Sequence, residues 1–176
     1  GLKESYRKFV VTCTAPSKTF NIASMMISNI FIPNRELKAK FRAQLDAAGI
    51  SQLNVLGLVA CEAAYAHGEE WYKAMHSYVA DNIAFTKEYV ETQLPGVSMV
   101  DHEGTYLVWL DFRETGLSVD ELEDLIVHRA KLWLDSGKIF GDCGKGFQRI
   151  NVACPRATLQ EALDRIKTAL QESEAQ

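Results

Sequence analysis

Two cationic side chains stand where chemistry is possible. Lys18 lies in "TCTAPSKTFN" (12–21), a turn-forming loop of proline and hydroxyl residues straight after a β-branched run. The plain interpretation is a solvated loop lysine. The sharper one is a nucleophile. Desolvation at the end of a buried strand favours an uncharged amine, which can form an imine with a carbonyl compound. The small and hydroxyl residues beside it would suit the phosphate of a phosphorylated carbonyl cofactor. Arg149 lies between Gln148 and Ile150 in a β-like run. An arginine there is an edge residue facing water, a buried partner of an acid, or a ligand anchor.

Other candidate constellations fail on spacing. A Walker A loop needs a glycine with four residues between it and its GK pair, and Ser or Thr after the pair. Around "GDCGKG" those positions are Ile139 and Gly146, so the glycines are assigned to tight turns. His67, His76, His102 and His128 have no metal-ligand spacing, and no metal site is expected. His67 and His128 fall near predicted helix C-termini, where a cation is favoured. Cys13, Cys61, Cys143 and Cys154 form no CxxC pair. They are expected to be reduced thiols acting as small buried hydrophobes in a cytoplasmic protein.

Composition narrows the class. The 176 residues are 47% hydrophobic and 24% charged, with a net charge of −4. That suffices for a core and for one domain or two small ones. The basic residues are scattered, which disfavours nucleic acid as a partner. No apolar run nears the ~20 residues of a membrane span. The opening "GLKESYRKFV" shows no apolar leader segment and no initiator Met, so a processed or shortened chain is expected.

The elements that must carry Lys18 and Arg149 follow from periodicity. "KFVVTCTA" (8–15) is predicted as a short buried strand and "SNIFIP" (28–33) as a second. Asn34 is a predicted N-cap for a helix with Leu37, Phe41, Leu45 and Ala48 on one face, ended by Gly49. A closely packed Ala-rich helix is expected from Asn54 to His67. An amphipathic helix from about Glu69 to Leu94 follows, its stripe being Tyr72, Met75, Val79, Ile83, Val90 and Leu94. Beyond it, "TYLVWLDF", "KLWLDSG" and "FQRINVAC" are predicted strands. Ser118 with Glu121 and Thr158 with Glu161 are predicted capping boxes of two helices. The order β-α-β-β-α suits a small sheet covered by helices on one face. The expected division is 1–80 and 81–176. A fully buried strand at 8–15 would belong in a larger sheet than this chain offers.

"TAPSKTFNIA" and "DSGKIFGDCGKGFQRINVACPR" (135–156) together resemble the lysine loop and C-terminal signature of fold-type I pyridoxal-phosphate (PLP) enzymes. Within the class I/II aminotransferase superfamily they are most similar to the MalY/PatB-type cystathionine β-lyases. The resemblance spans essentially the whole chain. It implies an α/β fold: the C-terminal part of the large domain, a connecting helix and a small α+β domain, with the N-terminal half of the enzyme lying outside this sequence. It implies PLP as cofactor, held by Lys18 as the catalytic lysine with Ser17 and Thr14, or Thr12, toward the phosphate. It makes Arg149 the anchor of the substrate α-carboxylate, leaves Arg156 structural, and implies a homodimer. Relatives often carry Ser where Ala15 stands, Arg where Met26 stands and Gly where Ser24 stands. The expected activity is C–S β-lysis giving thiol, pyruvate and ammonia, with little activity in this chain alone. An aminotransferase, or a non-catalytic domain of the same fold, are the alternatives.

Overall fold

In the computed structural model, which describes residues 3–50 and 52–174, Asn34 starts the first long helix as its side chain predicts. Its carboxamide oxygen accepts from the Glu36 and Leu37 N–H groups at 2.9 and 3.2 Å. The helix α1 (Arg35–Ala47) ends at Gly49, whose φ of 69° is a left-handed exit that glycine takes without penalty. Two compact units divide between Met75 and His76.

The first unit contains α1, the strands β1 (Thr12–Thr14) and β2 (Asn29–Phe31), α2 (Val55–His67) and the start of α3 (Glu69–Gln93). β1 pairs antiparallel with β2 alone, Cys13 opposite Ile30. The predicted buried strand at 8–15 is therefore corrected. Residues Glu4–Phe9 form a 3-10 turn, and the three strand residues are all exposed. A β-branched run is buried only when neighbouring strands and a second layer cover it, and the described residues supply one neighbour. α2 also departs from the closely packed helix expected. It buries Gly57 and Cys61 while Val55, Leu56 and Val59 stay exposed. Of the four cysteines, only Cys61 is buried; Cys13 and Cys143 are exposed and Cys154 is half-buried, and all are free thiols.

The second unit is built on an antiparallel sheet of order β3-β4-β6-β5. Its strands are β3 (Ser98–Met99), β4 (Leu107–Asp111), β5 (Asp135–Ser136) and β6 (Phe147–Asn151). Only two residues of the predicted strand "KLWLDSG" pair. Val108, Leu110 and Ile150 are buried on one face, together with Leu122 and Ile126 of the segment after Ser118 and Leu159, Leu163 and Ile166 near the C-terminus. Buried Gln148, on that same face, donates to Glu123 at 2.8 Å. The helix α4 (Val119–Asp124) has its predicted capping box, Ser118 and Glu121 bonding reciprocally, and continues as a π-helical turn, Leu125–Arg129.

The second predicted capping box does not form. The last helix, α5 (Arg156–Glu174), begins before Thr158, which lies inside its first turn. Pro155 explains the shift, because its fixed φ suits a helix start and its carbonyl accepts from Leu159 N–H at 3.1 Å. Asn82 of α3, fully buried, secures this connection. Its Nδ2 donates to the Val152 and Cys154 carbonyls at 2.7 and 2.9 Å, and its Oδ1 accepts from Arg156 Nε at 2.7 Å. Arg156 also lies over the Phe85 ring at 4.4 Å, the structural role expected of it. Asn82→Ala removes all three bonds and is expected to lower unfolding stability by about 3 kcal/mol, read from the denaturant midpoint. An unchanged midpoint would refute this role.

Candidate active site

Lys18 sits at the centre of a tight loop after β1. Phe20 N–H donates to the Pro16 carbonyl at 2.9 Å, and Ile22 N–H to the Ser17 carbonyl at 3.0 Å. These bonds fold the chain back on itself, with Pro16 buried and Lys18 exposed. The loop is anchored two residues on. Phe20 stacks on Trp71 at 6.0 Å and meets Tyr65 edge-on at 5.9 Å. Gly68, at the end of α2, permits this approach: a Cβ there would lie 2.5 Å from the Phe20 ring and 2.4 Å from the Ala64 carbonyl. Asn21 and Met26 take φ of 53° and 50°, which tightens the turns on either side of Ala23–Met25.

Lys18 has no hydrogen-bond or ion-pair partner among the described residues, and neither do the Thr14 and Ser17 hydroxyls. Three polar side chains within five residues thus make no hydrogen bond to another described residue. The desolvation expected around Lys18 is not supplied by the described residues, because β1 and the loop are open to water.

Arg149 belongs to the second unit. In β6 it is paired with Trp109 of β4 on one side and Asp135 of β5 on the other. Side chains alternate along a strand, so these three share the sheet face opposite Val108, Leu110 and Ile150. Arg149 donates to Asp135 Oδ2 from Nε at 3.1 Å and from Nη2 at 2.7 Å. Its guanidinium lies over the Phe140 ring at 4.6 Å and the Trp109 ring at 5.7 Å. Of the interpretations open from sequence, the partner of an acid is the contact observed. Asp135, Trp109 and Phe140 were not singled out from sequence. Asp135 was reachable, because a cation on an aromatic sheet face calls for an acid on the adjoining strand.

Beside Arg149 is a cavity of about 320 Å³, reached also by Trp133, Asp135, Asn151 and Cys154. Burial pushes the Cys154 thiol up, so it stays protonated at neutral pH and is a poor nucleophile. Beneath the sheet, burial pushes the Glu123 carboxyl up, but hydrogen bonds from Ser136, Gln148 and Lys138 outweigh this and hold it below its usual range. The glycine run is a structural crossing. Gly137 and Gly144 touch so closely that a Cβ on either would lie 1.9 or 2.1 Å from the other's carbonyl oxygen. Among the described residues no group of His, Cys, Asp and Glu could hold a metal ion, and no helix is long and apolar enough to cross a membrane.

No protein-family model matches the chain. Individual proteins do. Cystathionine β-lyase PatB of Bacillus subtilis is 42% identical over 96% of the chain and 44% of its own length. Protein MalY of Escherichia coli is 30% identical over 85% of the chain and 39% of its own length. The crystal structure of cystalysin from Treponema denticola, which contains pyridoxal 5'-phosphate, superposes with a TM-score of 0.92 at 38% identity, over 97% of the chain and 43% of that protein. The chain spans less than half the length of these relatives. Its fold is that of the PLP-dependent, aspartate aminotransferase-like enzymes over the matched portion. Within that fold-type I superfamily, the chain is a homologue of the PatB/MalY-type cystathionine β-lyases.

Proposed function

We propose that this chain is the C-terminal portion of a PLP-dependent C–S β-lyase that splits cystathionine or a similar thioether amino acid into thiol, pyruvate and ammonia. The observation that carries it is the Lys18 loop. A primary amine and two hydroxyls, all without partners among the described residues, are presented on a tight turn in a chain 42% identical to a cystathionine β-lyase. That donor set fits a phosphorylated aldehyde: the amine suits its carbonyl, and the Ser17 and Thr14 hydroxyls suit its phosphate. When bound, the cofactor supplies an electron-withdrawing ring that stabilises negative charge at the substrate Cα.

The chain's own residues then have distinct tasks. Lys18 secures the cofactor before substrate arrives, and its amine afterwards moves the proton at the substrate Cα. Arg149 binds the substrate α-carboxylate through two parallel charge-assisted hydrogen bonds, fixing position and angle together. Protonated Cys154, half-buried beside Arg149, has no acid–base task. The remaining cofactor contacts belong to the rest of the protein, so this chain alone turns over substrate slowly. The parent works in the cytoplasm as a homodimer. An aminotransferase would employ the same lysine and arginine, so likeness to lyases decides the reaction type. The full-length parent, given L-cystathionine with and without 2-oxoglutarate, is expected in both cases to release thiol, pyruvate and ammonia in equal amounts. Amino transfer to 2-oxoglutarate with the thioether left intact would overturn lyase in favour of aminotransferase.

A further inference from the structure

We propose that Asp135 is a positioning residue for Arg149, turning its guanidinium so that one hydrogen-bonding edge stays open to a substrate carboxylate. This rests on Arg149 being the carboxylate anchor. A guanidinium carries five N–H donors in one plane. Asp135 takes Nε–H and one Nη2–H, both on the single oxygen Oδ2, at 3.1 and 2.7 Å. That occupies the side edge. The end edge, formed by Nη1 and the second Nη2 hydrogen, meets no other acceptor among the described residues. Its geometry matches a carboxylate in two parallel bonds.

The plane is fixed from its faces as well. Phe140 and Trp109 lie 4.6 and 5.7 Å from the guanidinium carbon, and the two rings brace each other edge-on at 5.1 Å. Strand register supplies the row: Asp135, Arg149 and Trp109 lie directly across three neighbouring strands. Arg149 and Asp135 both line the cavity of about 320 Å³, which gives a ligand room beside the pair. Energetics point the same way. The Asp135 side chain is 47% exposed and that of Arg149 23%, so the pair does little for folding. Its use is orientation. A competing role, in which Asp135 occupies the guanidinium until substrate displaces it, predicts the opposite sign.

The test uses the PLP-loaded full-length parent carrying Asp135→Ala, Asp135→Asn or Arg149→Ala. Two readouts are taken: calorimetric binding of 4-(methylthio)butanoate, a thioether carboxylate with no amine, and KM against kcat for L-cystathionine. Asp135→Ala is expected to weaken binding and raise KM about tenfold while kcat changes less than about threefold. Asp135→Asn keeps an acceptor and is expected to recover most of the loss. Tighter or unchanged binding in Asp135→Ala, with Arg149→Ala impaired, would overturn the positioning role. Unchanged binding in Arg149→Ala would instead refute the anchor itself. Should Asp135→Ala fail to fold, Asp135→Asn decides: weaker binding, about threefold, supports positioning, and equal or tighter binding overturns it.

Discussion

Lys18→Ala in the full-length parent is expected to lower turnover of L-cystathionine by about a thousandfold or more. The size follows from the task. In the proposed role the amine moves the Cα proton, and removing a positioned acid–base group costs about 10²- to 10⁴-fold. Securing the cofactor adds to that loss. Lys18→Arg separates charge from chemistry. It keeps the cation but cannot give up a proton at working pH, so it is expected to be as impaired as the alanine variant. Folding is a weak confounder. Lys18 is exposed and unpartnered among the described residues, so both variants should melt within about 0.5 kcal/mol of wild type. A direct readout accompanies the kinetics. Borohydride reduction of the PLP-treated protein, followed by proteolysis and mass spectrometry, should leave a pyridoxyl group on the Lys18 peptide and on no other lysine. An alanine variant retaining a tenth of wild-type turnover would remove Lys18 from the chemistry.

What could be foreseen from sequence was local. The Asn34 cap and the Ser118–Glu121 box depend on residues within one turn, and both appear. Of the expected α3 stripe, Val79, Val90 and Leu94 are buried and Tyr72 is exposed, while Asn82 and Thr86 are also buried. The Thr158–Glu161 box had the right letters, but Pro155 started the helix earlier, and Glu161 pairs with Arg165 one turn on. The β-branched run at 8–15 carried the signature of burial without the strands that would bury it, so β1 stays open. The surroundings of Arg149 were the least legible. Asp135 is fourteen residues away in sequence, and Phe140 lies in a 3-10 turn with no periodic pattern. The register of β4, β5 and β6 brings Asp135 and Trp109 to Arg149, and the turn after β5 brings Phe140. Lys18 could be singled out because its signal is compressed into one loop, although the burial expected around it is not supplied by the described residues.

Arg149→Ala carries the second large effect. A carboxylate gripped by two charge-assisted hydrogen bonds is expected to lose about 3–4 kcal/mol when the guanidinium is removed, or about 10²- to 10³-fold in kcat/KM. Arg149→Lys restores the charge without the planar fork, and is expected to recover less than a tenth of the lost efficiency. A structural explanation has to be separated from this one, because Arg149 also holds Asp135 and stacks on Phe140. The separation lies in the substrate. A thioether amine lacking the α-carboxylate gains nothing from Arg149, so wild type should strongly prefer the carboxylated compound. In Arg149→Ala that preference should collapse toward unity, with the amine itself handled as before. A variant that loses activity equally on both compounds would make Arg149 a packing residue of the sheet face. Persistence of the full preference would send the search for the carboxylate anchor to the part of the protein outside this chain.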